Sequence, residues 1–187
     1  MKDISQETIR LAAQGDRQAF EEIYRVSSGF VYTIALRIMN KPADAQEVTQ
    51  EVFIKLFHNL KDFQFRSSFK TWLYRVTANS AINAYNARKR QRCRHVDFEE
   101  VSGVLEAAQD PPQTQEYTER EKLLTKLLDC LPAQQRACIV LRHIEGLSYQ
   151  EISAALKINI NTVRTWLKRG RETLIKIYRN KEINDEL

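Results

Sequence analysis

A run without acidic side chains near the end of the chain, residues 161–171, holds the residues best suited to contact duplex DNA. Arginine and lysine can bond the guanine acceptors in the major groove, and threonine can contact several bases or a thymine methyl. On a helical wheel of about 100° per residue, Val163, Leu167, Gly170 and Leu174 share one face. The opposite face and its flanks carry the candidate DNA contacts: Arg164, Thr165, Trp166, Lys168, Arg169 and Arg171.

The elements around this run predict a helix-turn-helix, whose second helix lies in the major groove. Residues 148–151 form a capping box, which begins a short helix, and residues 157–161 turn the chain. Asn161 is the expected cap of the final helix, which we expect to end near Tyr178. Glycine at position 170 would permit close helix packing, although it costs about 1 kcal/mol relative to alanine. Two alternatives stay open: the basic side chains could be a solvated surface, and Trp166 could pack instead of touching DNA.

A second group of residues in the first half of the chain suits single-stranded DNA. A helix expected over about 69–90 presents amide side chains near Trp72 and continues into a segment with five basic residues among 88–94. Phosphates require cations, while unstacked bases require flat faces and hydrogen-bonding edges. The candidate contacts are Phe65, Arg66, Trp72, Arg75, Asn79, Asn83, Arg88 and Arg90. Trp72 could equally be a core residue, and the basic segment could simply promote solubility.

A polar stripe precedes this helix, on a helix expected from about Ala43 to Leu60 after a first helix from Asp16 to about Met39. The apolar side of the second helix is predicted to be buried through Val48, Val52, Phe53, Leu56, Phe57 and Leu60. The stripe on its other side consists of Asp44, Glu47, Gln50 and Glu51, with Lys55 beside it. Such a stripe is a candidate protein-docking surface.

The distribution of charge suggests two domains. Residues 1–94 carry a charge of +7, residues 95–116 carry −6, and residues 117–187 carry +4, within a total of +5. We therefore expect two basic modules joined by a flexible acidic linker at 95–116, which includes Pro111 and Pro112. With few glycines and prolines and no alternating strand pattern, the predicted fold is all-α: two small helical domains, the C-terminal one with the helix-turn-helix.

Other functional classes find little support. The chain shows no nucleophile and base pair, glycine-rich phosphate loop or metal cluster, so we expect neither an enzyme nor a cofactor. Cys93, Cys130 and Cys138 are expected to be free thiols, and a metal on Cys93 and His95 would need distant partners. No apolar run approaches the roughly 20 residues of a membrane span, and the N-terminus does not resemble a secretory signal. These features predict a cytoplasmic protein.

Three motifs in order resemble one family. They are residues 44–56 (DAQEVTQEVFIKL), residues 65–79 (FRSSFKTWLYRVTAN), and Leu131-Pro132 followed by 146–152 (GLSYQEI) and 161–164 (NTVR). Together they are similar to the extracytoplasmic-function (ECF) sigma factors of bacterial RNA polymerase, which consist of a region-two domain, a linker and a region-four domain. The resemblance covers nearly the whole chain. It implies domains at 1–94 and 117–187.

The resemblance also implies roles for the candidate residues. Asp44, Glu47, Gln50 and Glu51 would dock on the clamp helices of the polymerase largest subunit, and region four would meet the polymerase flap. Region two would melt the −10 element, with Asn79 at a base-contacting position and Trp72 supporting the pocket. Region four would recognise the −35 element as duplex. Asn83 replaces a common aspartate, and Trp166 and Lys168 stand at variable positions, so the preferred promoter sequence cannot be carried over.

Further implied properties are a stress or envelope regulon and regulation by a separate anti-sigma factor. The acidic linker would thread toward the polymerase active-site channel. The alternative function is a stand-alone helix-turn-helix regulator whose first module senses a signal or dimerises. That protein would bind duplex DNA tightly without polymerase.

Overall fold

The computed structural model describes residues 3–95, 124 and 126–185, and for residues 89–95 and 178–185 it describes the backbone alone. These residues form helices and turns with no strand among them, as predicted. None of the helices in the described ranges is long and apolar enough to cross a membrane. The predicted linker at 95–116 lies almost entirely outside the described residues. The helices are α1 Gln6–Ala13, α2 Arg17–Met39, α3 Pro42–Asn59, α4 Phe69–His95, α5 Ala133–Ile139, α6 Tyr149–Leu156 and α7 Ile160–Asp185.

Helices α1 to α4 build the N-terminal domain, and local signals set their ends. The Asp16 carboxylate caps α2 by accepting from the Ala19 N–H at 2.7 Å, and α2 ends at Asn40 in the left-handed conformation (φ 57°). Pro42 then opens α3, where its missing N–H costs no hydrogen bond. The antiparallel pair α2 and α3 packs on α4 around fully buried side chains: Ile23, Ile34, Ile38, Leu56 and Leu73.

The predictions for this domain need three corrections. Helix α1 has no counterpart in the prediction, although Ser5 caps it by accepting from the Thr8 N–H at 3.0 Å. Helix α4 runs beyond the predicted Arg90 to His95. Phe57 is 59% exposed, whereas the other predicted core positions of this helix are buried. The helical period places Phe57 at the edge of the apolar stripe, where the Phe20 ring of α2 contacts it edge-on at 5.2 Å without enclosing it.

The C-terminal domain is organised around a turn of unusual geometry. Helix α5 starts after Pro132 and continues as a π-helical turn over Val140–Ile144, and Gly146 (φ 76°) ends it. The predicted capping box at Ser148 and Glu151 is confirmed, with both hydrogen bonds present. Helix α7 is longer than predicted, and its cap is Asn159 rather than Asn161, since the Asn159 Oδ1 accepts from the Asn161 N–H at 2.8 Å.

The predicted core face of α7 is confirmed. Val163 and Leu167 are fully buried, and Leu174 is half-buried against the same core. A Cβ placed on Gly170 would lie 3.1 Å from the Ile139 side chain. Glycine therefore allows α7 to approach α5 closely, as its position on the wheel predicted.

The two domains pack directly against each other. Helix α4 of the N-terminal domain lies along α6 and also contacts α5, while the C-terminal end of α2 contacts α5 and the π-helical turn. This packing brings the helix expected to bind single-stranded DNA against the first helix of the helix-turn-helix.

Candidate nucleic-acid and polymerase interface

The exposed face of α7 carries the predicted duplex contacts. Arg164, Thr165, Lys168 and Arg169 are exposed, opposite the buried Val163 and Leu167. The Asn161 side chain accepts from the Arg164 guanidinium at 2.8 Å, and Thr165 donates to the Asn161 carbonyl at 2.9 Å. The first turn of α7 thus holds its polar side chains in place, while Lys168 and Arg169 are exposed one turn further along.

Two residues flank this face. Arg171 is exposed about one turn further along α7, and Trp166 is half-buried and packed against the domain core. Lys168 lies 3.9 Å from Glu172, and both side chains are more than half exposed. Such a surface pair contributes little stability, about 0 to 1 kcal/mol. Lys168 can therefore exchange Glu172 for DNA at a small cost in free energy. Part of the Trp166 side chain, in contrast, is already packed against the domain core.

The loop before α4 has a strained residue at its centre. Phe65 adopts a left-handed backbone (φ 53°), which is uncommon for a bulky residue and often marks a functional loop. Its ring packs 4.8 Å from that of Phe63, and the Arg10 guanidinium lies 5.4 Å above it. A cavity of about 340 Å³ opens beside it, lined by Ser67, Ser68 and the start of α1. Arg66 is exposed at the rim of this loop.

Trp72 lies beneath this loop as a packing residue. Only 8% of it is exposed, and its ring lies 5.3 Å from that of Phe63 and 5.9 Å from that of Phe69. A core role and a role in supporting the base pocket both agree with this position, because the buried aromatic cluster packs beneath the strained loop. The structure does not present the indole face to an incoming base.

Three predicted single-strand contacts follow Trp72 along α4. Arg75 and Asn79 are partly exposed, and Asn83 is exposed. The Asn79 amide donates to the Ala155 carbonyl of α6 at 3.0 Å. Asn79, the residue expected to contact a base, therefore has a hydrogen-bond partner in the other domain. The Arg90 side chain lies outside the described residues.

The polar stripe on α3 is tied to α4. Arg88 of α4 forms ion pairs with Asp44 and Glu47, so a residue expected to bind DNA joins two residues expected to bind polymerase. Glu51 pairs with Lys55 on the same helix, and Lys55 also donates to the Ser80 hydroxyl at 3.0 Å. Gln50 is exposed. Arg88 and Lys55 thereby fix the stripe's position relative to α4.

The described cysteines are free thiols. Cys138 is fully buried, and this burial raises its pKa to about 12, which makes it a poor nucleophile at neutral pH. Cys130 is exposed. The Cys93 side chain lies outside the described residues.

Glu145 and Arg136 bond to residues of the N-terminal domain, and no motif or spacing in the sequence singles them out. Glu145 accepts from Arg37 at 2.9 Å and from the Tyr74 hydroxyl at 2.7 Å, across the domain boundary. Arg136 is fully buried and donates to the Ile38 carbonyl at 2.7 Å. Their partners lie 71 to 108 residues away, so no local pattern could have indicated them.

Two family models match the two domains. The model described as Sigma-70 region 2 matches residues 23–91, and the model described as Sigma-70, region 4 matches residues 121–174. Both matches agree with the positions of the motifs that suggested this family.

Curated relatives and a solved structure extend this similarity over most of the chain. The chain is 36% identical to the ECF RNA polymerase sigma factor SigE of Mycolicibacterium smegmatis, over 87% of this chain and 63% of the relative. It is 30% identical to the RNA polymerase sigma-H factor of Pseudomonas aeruginosa, over 91% of this chain and 92% of the relative. The fold is similar to that of the Bartonella quintana sigma factor RpoE, solved in complex with the anti-sigma factor NepR. That comparison has a TM-score of 0.64 and 24% identity, over 86% of this chain and 96% of the other. This chain belongs to the extracytoplasmic-function sigma factors of bacterial RNA polymerase.

Proposed function

We propose that the two domains divide promoter recognition between a single strand and a duplex. The N-terminal domain, residues 1–94, captures the −10 element after melting it, and the C-terminal domain, residues 117–187, recognises the −35 element. The observation that carries this proposal is the exposed basic face of α7 beside a second domain with amide and aromatic side chains along α4. Unstacking a base costs a few kcal/mol, which capture of the extruded base can offset.

Polymerase docking belongs to the stripe on α3. The stripe consists of Asp44, Glu47, Gln50 and Glu51, and the Arg88 ion pairs hold two of its carboxylates in position. The expected surface is the clamp helices of the largest subunit, with region four on the flap. Residues 95–116 form the acidic linker between the two contacts. Since polymerase works in the cytoplasm, the chain acts there.

Selective initiation by reconstituted holoenzyme tests this function. Purified chain is mixed with core polymerase and a promoter library, and the transcribed templates are sequenced. We expect two shared elements to emerge, near −10 and −35. Absence of a stable holoenzyme, or initiation without sequence selection, would refute the proposal.

A charge reversal on the stripe separates the sigma function from the stand-alone regulator. Glu51→Arg should abolish selective initiation, because it places a cation on the polar stripe that docks on polymerase. The matched control is Glu21→Arg on the exposed side of α2, which should leave initiation unchanged. A stand-alone regulator would instead bind duplex promoter DNA tightly without polymerase and would not respond to Glu51→Arg.

An anti-sigma factor is the proposed regulatory partner. The support is a relative of similar fold, the Bartonella quintana RpoE, which is solved in complex with NepR. Affinity purification of the tagged chain from its own host, followed by mass spectrometry, should recover a protein whose addition blocks holoenzyme formation. Recovery of polymerase subunits without any such inhibitor would contradict this part of the proposal.

A further inference from the structure

Helix α1 lies before the segment that the region 2 family model matches, residues 23–91, and it carries none of the candidate DNA contacts. It is nevertheless fixed to the N-terminal domain. Ile9 and Ala12 are buried, and α1 packs on α2 and on the short 3-10 turn Leu60–Asp62. That turn leads directly into the loop at 63–68, which we call the Phe65 loop. Helix α1 is therefore a firmly packed element beside a loop assigned to the −10 element.

One side chain of α1 contacts this loop. The Arg10 guanidinium lies 5.4 Å from the centre of the Phe65 ring. Arg10 is exposed, whereas Phe65 is half-buried. The Phe65 ring also lies 4.8 Å from the ring of Phe63, which packs in turn on Trp72 at 5.3 Å. Phe65 thus contacts both the buried aromatic cluster and a cation supplied by α1.

The backbone of Phe65 requires support of this kind. Its φ of 53° lies in the left-handed region, which a bulky residue keeps only where its surroundings hold it there. A cavity of about 340 Å³ lies beside the ring, between the start of α1 and residues 67–70. The ring therefore has room to move if its contacts are lost. Attraction between the guanidinium and the ring face opposes that movement.

We propose that Arg10 is a positioning residue for the −10 site: its guanidinium holds Phe65 in the conformation in which the loop captures an unstacked base. The inference rests on the proposed assignment of Phe65 to the −10 element. It adds α1, which none of the sequence motifs covers, to the part of the chain that acts on the promoter. At an exposed site, a cation–π contact changes a population by a factor of about two to five.

Permanganate reactivity of the −10 thymines, measured with reconstituted holoenzyme, tests this role. Arg10→Ala should lower the open fraction about two- to fivefold, while polymerase affinity and protection of the −35 duplex match those of the parent. Arg10→Lys keeps a cation and should restore most of the opening, whereas Arg10→Gln should behave like Arg10→Ala. The matched control Arg17→Ala removes the same charge from an exposed position on α2 and should open promoters as the parent does.

A double-mutant cycle with Phe65→Leu distinguishes positioning from a direct contact between Arg10 and a phosphate. Leucine keeps a side chain at the left-handed position but has no π face. If Arg10 acts through Phe65, Arg10→Ala should cause no further loss of opening in the Phe65→Leu background. A phosphate contact would instead give additive losses and a salt slope lower by about 1. Additive losses, or an Arg10→Ala holoenzyme that opens as well as the control, would overturn the proposal.

The free chain allows the contact itself to be tested without a promoter. Backbone chemical shifts of Phe65, measured by NMR, report its left-handed conformation. Arg10→Ala should move them toward extended values, and Arg10→Lys should move them less, while the shifts of the buried Ile9 show that α1 remains folded. Unchanged Phe65 shifts in Arg10→Ala would overturn the positioning role even if the holoenzyme initiates selectively. A parent holoenzyme that opens no promoter would refute the proposed function, and with it the role of Arg10 at the −10 site.

Discussion

Truncation of Lys168 and Arg169 to alanine isolates the contribution of the α7 face to sequence preference. Both side chains are exposed, and the helix is anchored from its other side by Val163 and Leu167, which are fully buried. Substitutions at exposed positions of this kind change stability by no more than about 0.5 kcal/mol. Any large change in promoter binding therefore reports lost DNA contacts and not unfolding.

The size of the effect follows from groove chemistry. A good bidentate contact to a base is worth about 1 to 3 kcal/mol of discrimination, which corresponds to about a 5- to 150-fold loss on the preferred base pair. Around the helix axis, Arg171 lies nearer to the buried face than Lys168 or Arg169 do. Side chains at that position of a helix in the groove meet the phosphates. Arg171→Ala should weaken binding to all sequences alike and lower the salt slope by about 1.

Holoenzyme affinity for a set of −35 duplexes, each with one base pair changed, is the appropriate assay. It is measured by fluorescence anisotropy at several salt concentrations. Lys168→Ala and Arg169→Ala should each flatten the preference at particular positions of the element. If all three variants lowered affinity uniformly and preserved the preference, the orientation assigned to α7 would be wrong.

Three further results are expected. Leu167→Ala should lower the free energy of unfolding in urea by about 2 to 5 kcal/mol, because the side chain is fully buried; a loss below 1 kcal/mol would contradict this packing. The bond from the Ser148 backbone lowers the pKa of Glu151 below its unfolded value of about 4.3. The stabilisation that Glu151 provides is thus present above that pH and is lost as the pH falls through the lower folded value, and Glu151→Gln should remove this acid dependence from thermal melts. Arg88→Ala should weaken binding to core polymerase, since it releases Asp44 and Glu47 from the ion pairs that hold them in position. Unchanged binding in a pull-down titration would show that polymerase binding by the stripe does not depend on these ion pairs.

Local signals predicted the helices well, because caps and apolar periods act over a few residues. The capping box at Ser148, the stop at Gly146 and the buried face through Val163 and Leu167 all depend on near neighbours in the chain. Helix α1 is as short as α6 but lacks its capping box, because Thr8 stands where Glu or Gln would complete the box with Ser5. The cap of α7 lies two residues before the predicted Asn161, because asparagine occupies both 159 and 161 and local pattern does not distinguish them.

Long-range contacts account for what the sequence could not predict. Phe57 follows the buried period of α3, yet it stays exposed because Phe20 of α2 contacts its ring without enclosing it. The amide side chain of Asn79 predicts a base contact, but its bond to Ala155 arises from packing between domains. The basic run around Arg88 predicts a DNA contact, whereas its described partners are Asp44 and Glu47. Residue type indicated the chemistry in each case, and tertiary packing decided the partner.

Permanganate footprinting of an open complex tests most directly whether the N-terminal domain captures the −10 element as a single strand. Thymines of that element become reactive only when they are unstacked. Holoenzyme containing the parent chain should make them reactive, while Asn79→Ala should reduce this reactivity and leave protection of the −35 duplex unchanged. Full reactivity with Asn79→Ala, or loss of −35 protection together with it, would contradict the division of promoter recognition between the two domains.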